Sequence, residues 1–212
     1  MQGDVRVVTY FRFLPVSALC CGVLVTGRSD EYRLLWYDLD GTLGRIVSLG
    51  REPLALTEED QSVLMGQFVL FWEKNRPPPP EWVELQKDKI RFASTYPAYN
   101  QRLFTGPGST LLVNQVRPLR DFDANERNTP RYTGQSSPNR SPTWDVFDSE
   151  GRYLGEVVLQ GERPGEGRWG DPQWIRFARD PTTDTWYMYG IMRDEMDVDY
   201  VVGWRIDGPM PG

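Results

Sequence analysis

One pattern, which occurs twice, most constrains the fold of this chain: a β-favouring run, a turn that ends in glycine, and a second β-favouring run. The later copy, residues 143–159, reads TWDVFDSEGRYLGEVVL, and the earlier copy, residues 33–49, reads RLLWYDLDGTLGRIVSL. Both place an aromatic residue, an Asp, any residue, an acid and a Gly in that order, which predicts a β-hairpin with the glycine at positive φ. A hairpin cannot bury its apolar face alone, so the repetition predicts stacked neighbours and an all-β repeat architecture.

The composition of the 212-residue chain agrees with a turn-rich β protein. It contains 20 Gly, 17 Pro, 8 Trp, 10 Tyr and 9 Phe, and aromatic residues favour strands. The net charge of −6 offers no basic footprint for a nucleic acid or an acidic membrane surface. The apolar run at residues 14–25 is too short to cross a bilayer, so we expect no membrane span and interpret residues 19–26 as one buried strand.

The absence of histidine from the whole chain removes a large set of chemistries. It excludes Ser-His-Asp and Cys-His triads, a histidine general base and histidine metal ligands. The two cysteines, Cys20 and Cys21, are neighbours, and neighbouring side chains of a strand point to opposite faces. We therefore expect no ordinary disulfide between them and interpret both as small buried residues rather than a redox pair or metal site.

The earlier hairpin contains the hexapeptide DLDGTL at residues 38–43, which matches motif I of the haloacid-dehalogenase-like phosphatases. That resemblance would make Asp38 the phosphorylated nucleophile, Asp40 the acid/base, and Mg²⁺ the ion that neutralises the phosphate. The same turn pattern recurs at residues 148–151 without the second Asp or the Thr, which is expected if the pattern only forms a turn. In addition, the rest of the chain lacks the alternation of strands and helices that the parallel sheet of that family needs. A Mg-dependent phosphatase stays open as an alternative to a plain β-turn.

Residues 57–92 interrupt the β pattern with an insertion that we predict to be helical. Thr57 and Asp60 make a capping box, and Leu64 and Phe68 begin an apolar stripe at helical spacing. This helix is predicted to end at residues 75–76, before four prolines that form a stiff spacer, and a shorter helix is predicted from Glu81 to about residue 89.

A long polar loop is predicted at residues 117–142, after a hairpin at residues 101–116. Five arginines give the loop a cationic character that the acidic chain otherwise lacks: Arg117, Arg120, Arg127, Arg131 and Arg140. They are the candidate binding residues for an anionic peptide, glycan or protein partner. Residues 121–125 begin with the spacing of a calcium loop, but Glu126 takes the place of its Gly, so we reject an EF-hand.

Three further strands are predicted at residues 173–178, 185–192 and 200–206, and their aromatic residues suit sheets that pack between neighbours. The connection between the last two strands carries three acidic residues whose carboxylates could hold Ca²⁺: Asp194, Asp197 and Asp199. Acidic hairpin tips are far commoner than metal sites, so these are weak metal candidates.

Four segments, in order along the chain, resemble a known family. They are SDEYRLLWYDLDGTLGRIV, the TEED start of the helical insertion, WDVFDSEGRYLGEVVL and GIMRDEMDVDYVVGWRI, and the family is the NHL-like six-bladed β-propellers of bacteria. The resemblance implies a radial array of four-stranded blades and, in many members, an extracytoplasmic location. It brings no catalytic residue and no cofactor. No export signal is recognised in this chain, so its compartment stays open.

The predicted strands number about eleven, which amounts to about three blades, whereas a closed propeller has at least four. We therefore expect residues 1–212 to form one half-propeller domain. It is either completed by a missing N-terminal half or closed by pairing in a homodimer of three plus three blades, since open blade faces would otherwise invite aggregation.

The favoured functional hypothesis is a non-enzymatic binding module whose ligand lies at the loop end of the array, chiefly at residues 117–142 and 161–172. Besides the phosphatase, a metal-dependent propeller hydrolase of the lactonase kind is an alternative. It would need inward-facing Asp, Glu and Asn around a central ion, whereas the acids of this chain lie mainly at predicted turns.

Overall fold

The computed structural model describes residues 8–11, 15–20, 22–74, 80–100, 103–128, 140–160, 173–193 and 198–208. The fold is mostly β, with antiparallel sheets, one of which is curled into a half-barrel. The strands are β1 (Val8–Tyr10), β2 (Pro15–Cys20), β3 (Val23–Arg28), β4 (Arg33–Tyr37), β5 (Leu43–Ser48), β6 (Ile90–Phe92), β7 (Leu103–Thr105), β8 (Leu111–Val116), β9 (Arg140–Phe147), β10 (Tyr153–Gln160), β11 (Gln173–Asp180), β12 (Thr185–Arg193) and β13 (Asp199–Asp207). The α-helices are α1 (Glu58–Lys74), α2 (Pro80–Lys87) and α3 (Ala124–Arg127).

The strands form three sheets. A four-stranded antiparallel sheet runs β2-β3-β4-β5 in chain order, and a seven-stranded sheet has the order β11-β12-β13-β10-β9-β8-β7. The short strands β1 and β6 pair in parallel. Among the sheets of the described residues, only the four-stranded one has the strand number and the simple up-and-down order of a propeller blade, because β10 pairs with β13 and joins the later strands into one continuous sheet. The propeller and its blade count therefore stay predictions.

The two hairpins predicted from the repeated pattern have the same turn, down to its hydrogen bonds. The amide of Gly41 donates to the carbonyl of Asp38 at 2.9 Å, and the amide of Gly151 donates to the carbonyl of Asp148 at 2.9 Å. Both glycines have positive φ, 87° and 73°, which L side chains rarely adopt. A bulge interrupts the pairing beside each turn. The turn chemistry read from the sequence is therefore confirmed for both copies.

The prediction of one buried strand at residues 19–26 is wrong. A turn at Gly22, with φ of 79°, divides this stretch between β2 and β3. Cys20 is buried as expected, but it is disulfide-bonded, which contradicts the interpretation of the cysteines as unpaired residues. Cys21 lies outside the described residues.

Three buried clusters hold the elements together. The first packs the inner face of β2–β4 against β7–β9, with Leu34, Trp36 and Phe147 near its centre. The second packs α1, through Leu64 and Phe68, against β1, β6 and neighbouring loops. All the buried members of the third cluster come from strands of the seven-stranded sheet, as expected where a sheet curls on itself.

The predicted helical insertion is present, with α1 and α2 close to the expected bounds. The capping box is also confirmed: Asp60 accepts from the Thr57 amide at 2.9 Å, and the Asp60 amide donates to the Thr57 hydroxyl at 3.3 Å. The Asp60 carboxylate also accepts a hydrogen bond from the backbone amide of Arg120 at 2.8 Å. The start of the predicted loop is thereby held against the start of α1.

Candidate interaction surface

The outer face of the four-stranded sheet carries an apolar row that crosses all four strands. The register pairs Leu19 with Leu24, Leu24 with Tyr37, and Tyr37 with Leu43, and directly paired residues share a face of the sheet. Leu19, Leu24 and Leu43 are 66%, 40% and 45% exposed. We call these four residues the apolar row.

The alternation of the strands shows that this row belongs to the outer face. Val25 and Trp36, which are paired with each other next to the row, are buried in the cluster that faces β7–β9. Because successive strand residues point to opposite faces, Leu24 and Tyr37 point away from that cluster. A leucine that protrudes alone is ordinary on a protein surface, but a contiguous apolar patch indicates an interaction site.

Polarity increases away from the apolar row along the same face. The next row, Ser17, Thr26, Leu35 and Ile46, mixes polar and apolar side chains. At the far end of the face, Arg28 pairs with Asp30 and Arg33 pairs with Glu31. The face therefore has an apolar end and a charged end, which is the arrangement of an interface core with a polar rim.

A buried polar cluster fixes the four-stranded sheet to the seven-stranded one. Its centre is the carboxylate of Asp145 on β9, which is fully buried. Arg51, just after β5, donates to both carboxylate oxygens, at 2.9 and 3.0 Å. Tyr32, just before β4, donates its hydroxyl at 2.7 Å. A buried carboxylate is tolerated only when it is paired and hydrogen-bonded, and here both partners directly flank strands of the other sheet.

Strands β8 and β10 complete the shell around Asp145. Gln115 donates its side-chain amide at 3.0 Å and Tyr153 its hydroxyl at 3.3 Å. Glu156, which is paired with Asp145 in the β9–β10 ladder, accepts from Arg51 at 2.9 Å and from Gln115 at 2.7 Å. Because donors from two strands and two loops already fill the lone pairs of Asp145, the cluster is a structural junction and its carboxylate has no lone pair left for a ligand.

The pKa values of Tyr32 and Arg51 at this junction are both raised above their usual values. Burial, and then the charge of Asp145, raise the pKa of Tyr32 well above 10. Burial alone would lower the pKa of Arg51, but the charge and hydrogen bonds of Asp145 outweigh it and raise that pKa. Tyr32 and Arg51 therefore keep their protons throughout the physiological range.

The two acids of the phosphatase-like motif lie in the exposed β4–β5 turn. Asp38 receives the turn hydrogen bond from Gly41, and the Asp40 carboxylate accepts from the Thr42 amide at 2.8 Å. That contact lowers the pKa of Asp40. Both acids therefore have turn-forming roles, which Asp148 repeats in the other hairpin.

Three of the five candidate binding arginines make ion pairs within the chain. Arg117 pairs with Glu126, Arg120 with Asp60, and Arg127 with Glu59. The first pair lies within residues 117–128, and the other two hold this segment against α1. Arg140 belongs to β9 and not to a loop, and Arg131 lies outside the described residues. No observation brings the five together as one binding site, so that site stays a prediction.

Of the three weak metal candidates, the structure describes one. Asp199 is the exposed first residue of β13, and Asp194 and Asp197 lie outside the described residues. Among the residues that the structure describes, no three His, Cys, Asp or Glu side chains are placed to share a metal ion. Within the same part of the chain, every helix is too short or too polar to cross a membrane.

Comparisons with known proteins add no family to these observations. No protein-family model matches the chain, and neither a curated protein nor a solved structure matches it. The class defined by the fold is that of a mostly β protein with curled antiparallel sheets. Function is therefore argued from the apolar row, which sequence analysis missed because it treated residues 19–26 as a single buried strand.

Proposed function

We propose that this chain is a non-enzymatic interaction module of the partial-propeller type, and that it docks another β-sheet through the outer face of β2–β5. The apolar row is the observation that carries this proposal. Propeller blades pack face against face in a radial array, so a blade at the open end of a partial array presents such a face. The four-stranded antiparallel sheet has the form required of that blade.

The size of the effect supports association through this face. Complete burial of one leucine side chain contributes about 1.5–3 kcal/mol. The three leucines of the row are about half exposed, so covering them would contribute about 3 kcal/mol, before any gain from Tyr37 and Ile46. The gain resides in a few adjacent side chains, as in the cores of interfaces whose affinity depends on a small central cluster.

The shape of the face favours a sheet over a single peptide or helix as its partner. The exposed residues follow the cross-strand direction over four strands, a width of about 19 Å. A helix of about 10 Å diameter would cover about half of that width. A second sheet, packed about 10 Å away, would cover the apolar row and the mixed row together.

The enzymatic alternatives gain no supporting observation. The turn acids Asp38 and Asp40 lie between two antiparallel strands, whereas the phosphatase resemblance requires a strand followed by a helix in a parallel sheet. A lactonase-like centre requires several acids around one ion, and the described residues provide no such group.

The test is the solution mass of the purified chain, by light scattering over a range of concentrations, with bis-ANS fluorescence on the same samples. Leu24→Lys places a charge in the row, and Leu85→Lys is the matched control, since Leu85 is an equally exposed leucine on α2. If the wild-type chain associates, Leu24→Lys is expected to lower its mass. If the wild-type chain is monomeric, Leu24→Lys is expected to lower the bis-ANS fluorescence. Leu85→Lys is expected to change neither quantity. Equal mass and equal fluorescence for Leu24→Lys and wild type would overturn the proposal.

A further inference from the structure

A second exposed face lies at the opposite end of the chain, on strands β10–β13. Tyr189 is paired with Gly203 and Ile191 with Val201. Val201 is 70% exposed, more than any other large apolar side chain that the structure describes in this sheet. These residues alternate with Met188 and Trp204, which are buried in the cluster inside the curl. They therefore lie on the outer face of the sheet.

This second face is flat at its apolar pairs. The Tyr189 ring lies directly over Gly203, where a Cβ would stand 2.9 Å from the Cε1 atom of the ring. The neighbouring ring of Tyr187 is 6.2 Å away and tilted by 33°. Because residue 203 has no side chain, the aromatic ring lies against the backbone and not upright, which leaves a surface that another sheet can approach closely.

Both faces carry an apolar patch bordered by charged residues. On the second face, the Ile191–Val201 and Tyr189–Gly203 pairs form the patch. The ladder pair Arg193–Asp199 follows on one side, Arg176 lies beside Tyr189 on β11, and on the other side the guanidinium of Arg205 pairs with Asp207 at 3.0 Å. On the first face, the apolar row is followed by a mixed row and then by ion pairs. Two such faces can pack with apolar patch on apolar patch while the charged residues of both remain at the solvated rim.

The area of each face decides whether a stable dimer needs one contact or two. With about 4.8 Å between strands and about 3.3 Å per residue, a face of four strands of about six residues covers roughly 400 Å². A stable interface buries about 800 Å² on each partner. One such contact is therefore too small by about half, whereas a dimer in which each chain uses both faces reaches the required area.

We propose that the partner of the apolar row is a second copy of this chain, and that the row packs on its β10–β13 outer face. This inference rests on the proposed function and names its partner. Two-fold symmetry then places each chain's first face on the other chain's second face, so both contacts form at once and no apolar face stays open. The result is a closed ring built from two half-rings.

The test uses two variants of opposite charge and their mixture, measured by light scattering. Leu24→Lys changes the first face and Val201→Glu changes the second, and far-UV circular dichroism checks that each remains folded. In a homodimer of either variant both contacts carry a buried unpaired charge, so we expect each variant alone to dissociate with a Kd raised at least about 100-fold, leaving chains of 24.5 kDa. In the mixture one contact is wild-type and the other joins Lys to Glu, so we expect a species of twice the chain mass.

The outcomes separate this inference from the proposed function. If Leu24→Lys dissociates the protein but Val201→Glu does not, the apolar row pairs with another surface, and the second-copy inference fails while the proposed function stands. A wild-type monomer whose dye fluorescence falls in Leu24→Lys has the same meaning. If neither variant changes the mass or the fluorescence, both proposals fail. Leu19→Lys repeats the test if Leu24→Lys does not fold.

Discussion

Arg51 and Asp145 are 94 positions apart in the chain and form a two-pronged ion pair, 2.9 Å from Nη1 to Oδ2 and 3.0 Å from Nη2 to Oδ1. The pair joins the segment after β5 to the middle of β9 and so connects the two sheets within one chain. We propose that the outer face of each of these sheets contacts the other sheet of a second copy. Such planar, bidentate contacts fix orientation as well as distance. The relative position of the two faces therefore depends on this junction.

Removal of the arginine should destabilise the fold. Arg51→Met keeps the aliphatic stem but leaves the Asp145 carboxylate buried without its cation. Loss of one partner of a buried pair costs about 3–5 kcal/mol, and because the Arg51 side chain is 33% exposed we expect a loss nearer about 2–3 kcal/mol in the free energy of unfolding. Urea unfolding followed by circular dichroism measures this loss.

Glu156→Gln is the matched control for that experiment, because Glu156 also contacts Arg51 but is 48% exposed. Exposed ion pairs contribute little, so its loss should stay below about 1 kcal/mol. Equal losses for Arg51→Met and Glu156→Gln would show that the buried pair does not dominate the junction.

The two hairpin glycines provide a second matched comparison. Gly41→Ala should cost about 1 kcal/mol, for the positive φ alone, because nothing lies within 4 Å of its added Cβ. Gly151→Ala should cost about 2–4 kcal/mol, because its Cβ would also stand 2.6 Å from Cγ2 of Val47 on β5. Similar losses for the two variants, measured by thermal or urea unfolding, would contradict the contact between the later turn and β5.

Asp60 should make stability depend on acidity. Burial acts to raise the pKa of Asp60, but hydrogen bonds from Thr57 and Arg120 outweigh it, so the pKa is lowered in the folded state. A lowered folded pKa gives stability that is complete above the unfolded value near 3.9 and is lost as the pH falls through the folded value. Asp60→Asn should therefore cost about 1–3 kcal/mol at pH 7, and its difference from wild type should shrink below about pH 4.

Glu58→Gln, an exposed change in the same first turn of α1, should alter the free energy of unfolding by less than about 0.5 kcal/mol at either pH. A difference between Asp60→Asn and wild type that stays constant from pH 7 to pH 3 would contradict the role assigned to the ionised carboxylate.

The phosphatase alternative has a direct test in the paired turns. We expect no hydrolysis of p-nitrophenyl phosphate that depends on Asp38, with or without Mg²⁺, because Asp38 and Asp148 make the same turn hydrogen bond. The comparison is between Asp38→Asn and Asp148→Asn. A Mg-dependent rate that is lost in the first variant and kept in the second would contradict the non-enzymatic proposal.

Local features of the fold were predictable from the sequence. Both hairpin turns, the capping box at Thr57 and the bounds of α1 follow from residues within a few positions of one another, where turn chemistry and helix periodicity act directly. The same reasoning failed at residues 19–26, because an apolar run of that length has no periodicity that separates one buried strand from a tight hairpin.

The candidate surface required information that a sequence does not carry locally. The apolar row exists only because the registers of three strand pairs bring Leu19, Leu24 and Leu43 into line, and register depends on the whole sheet. The Arg51–Asp145 pair likewise joins segments that only the tertiary fold brings together. The arginines of residues 117–128 were identified by charge, but charge alone did not show that the fold pairs them internally.

The light-scattering mass of the wild-type chain beside that of Leu24→Lys shows directly whether two copies associate through the apolar row. We expect a wild-type mass near twice the 24.5 kDa of one chain and a Leu24→Lys mass near that of one chain. A wild-type protein that stays at the single-chain mass at every concentration would contradict closure by a second copy. A dimer that Leu24→Lys leaves intact would contradict the role of the apolar row itself.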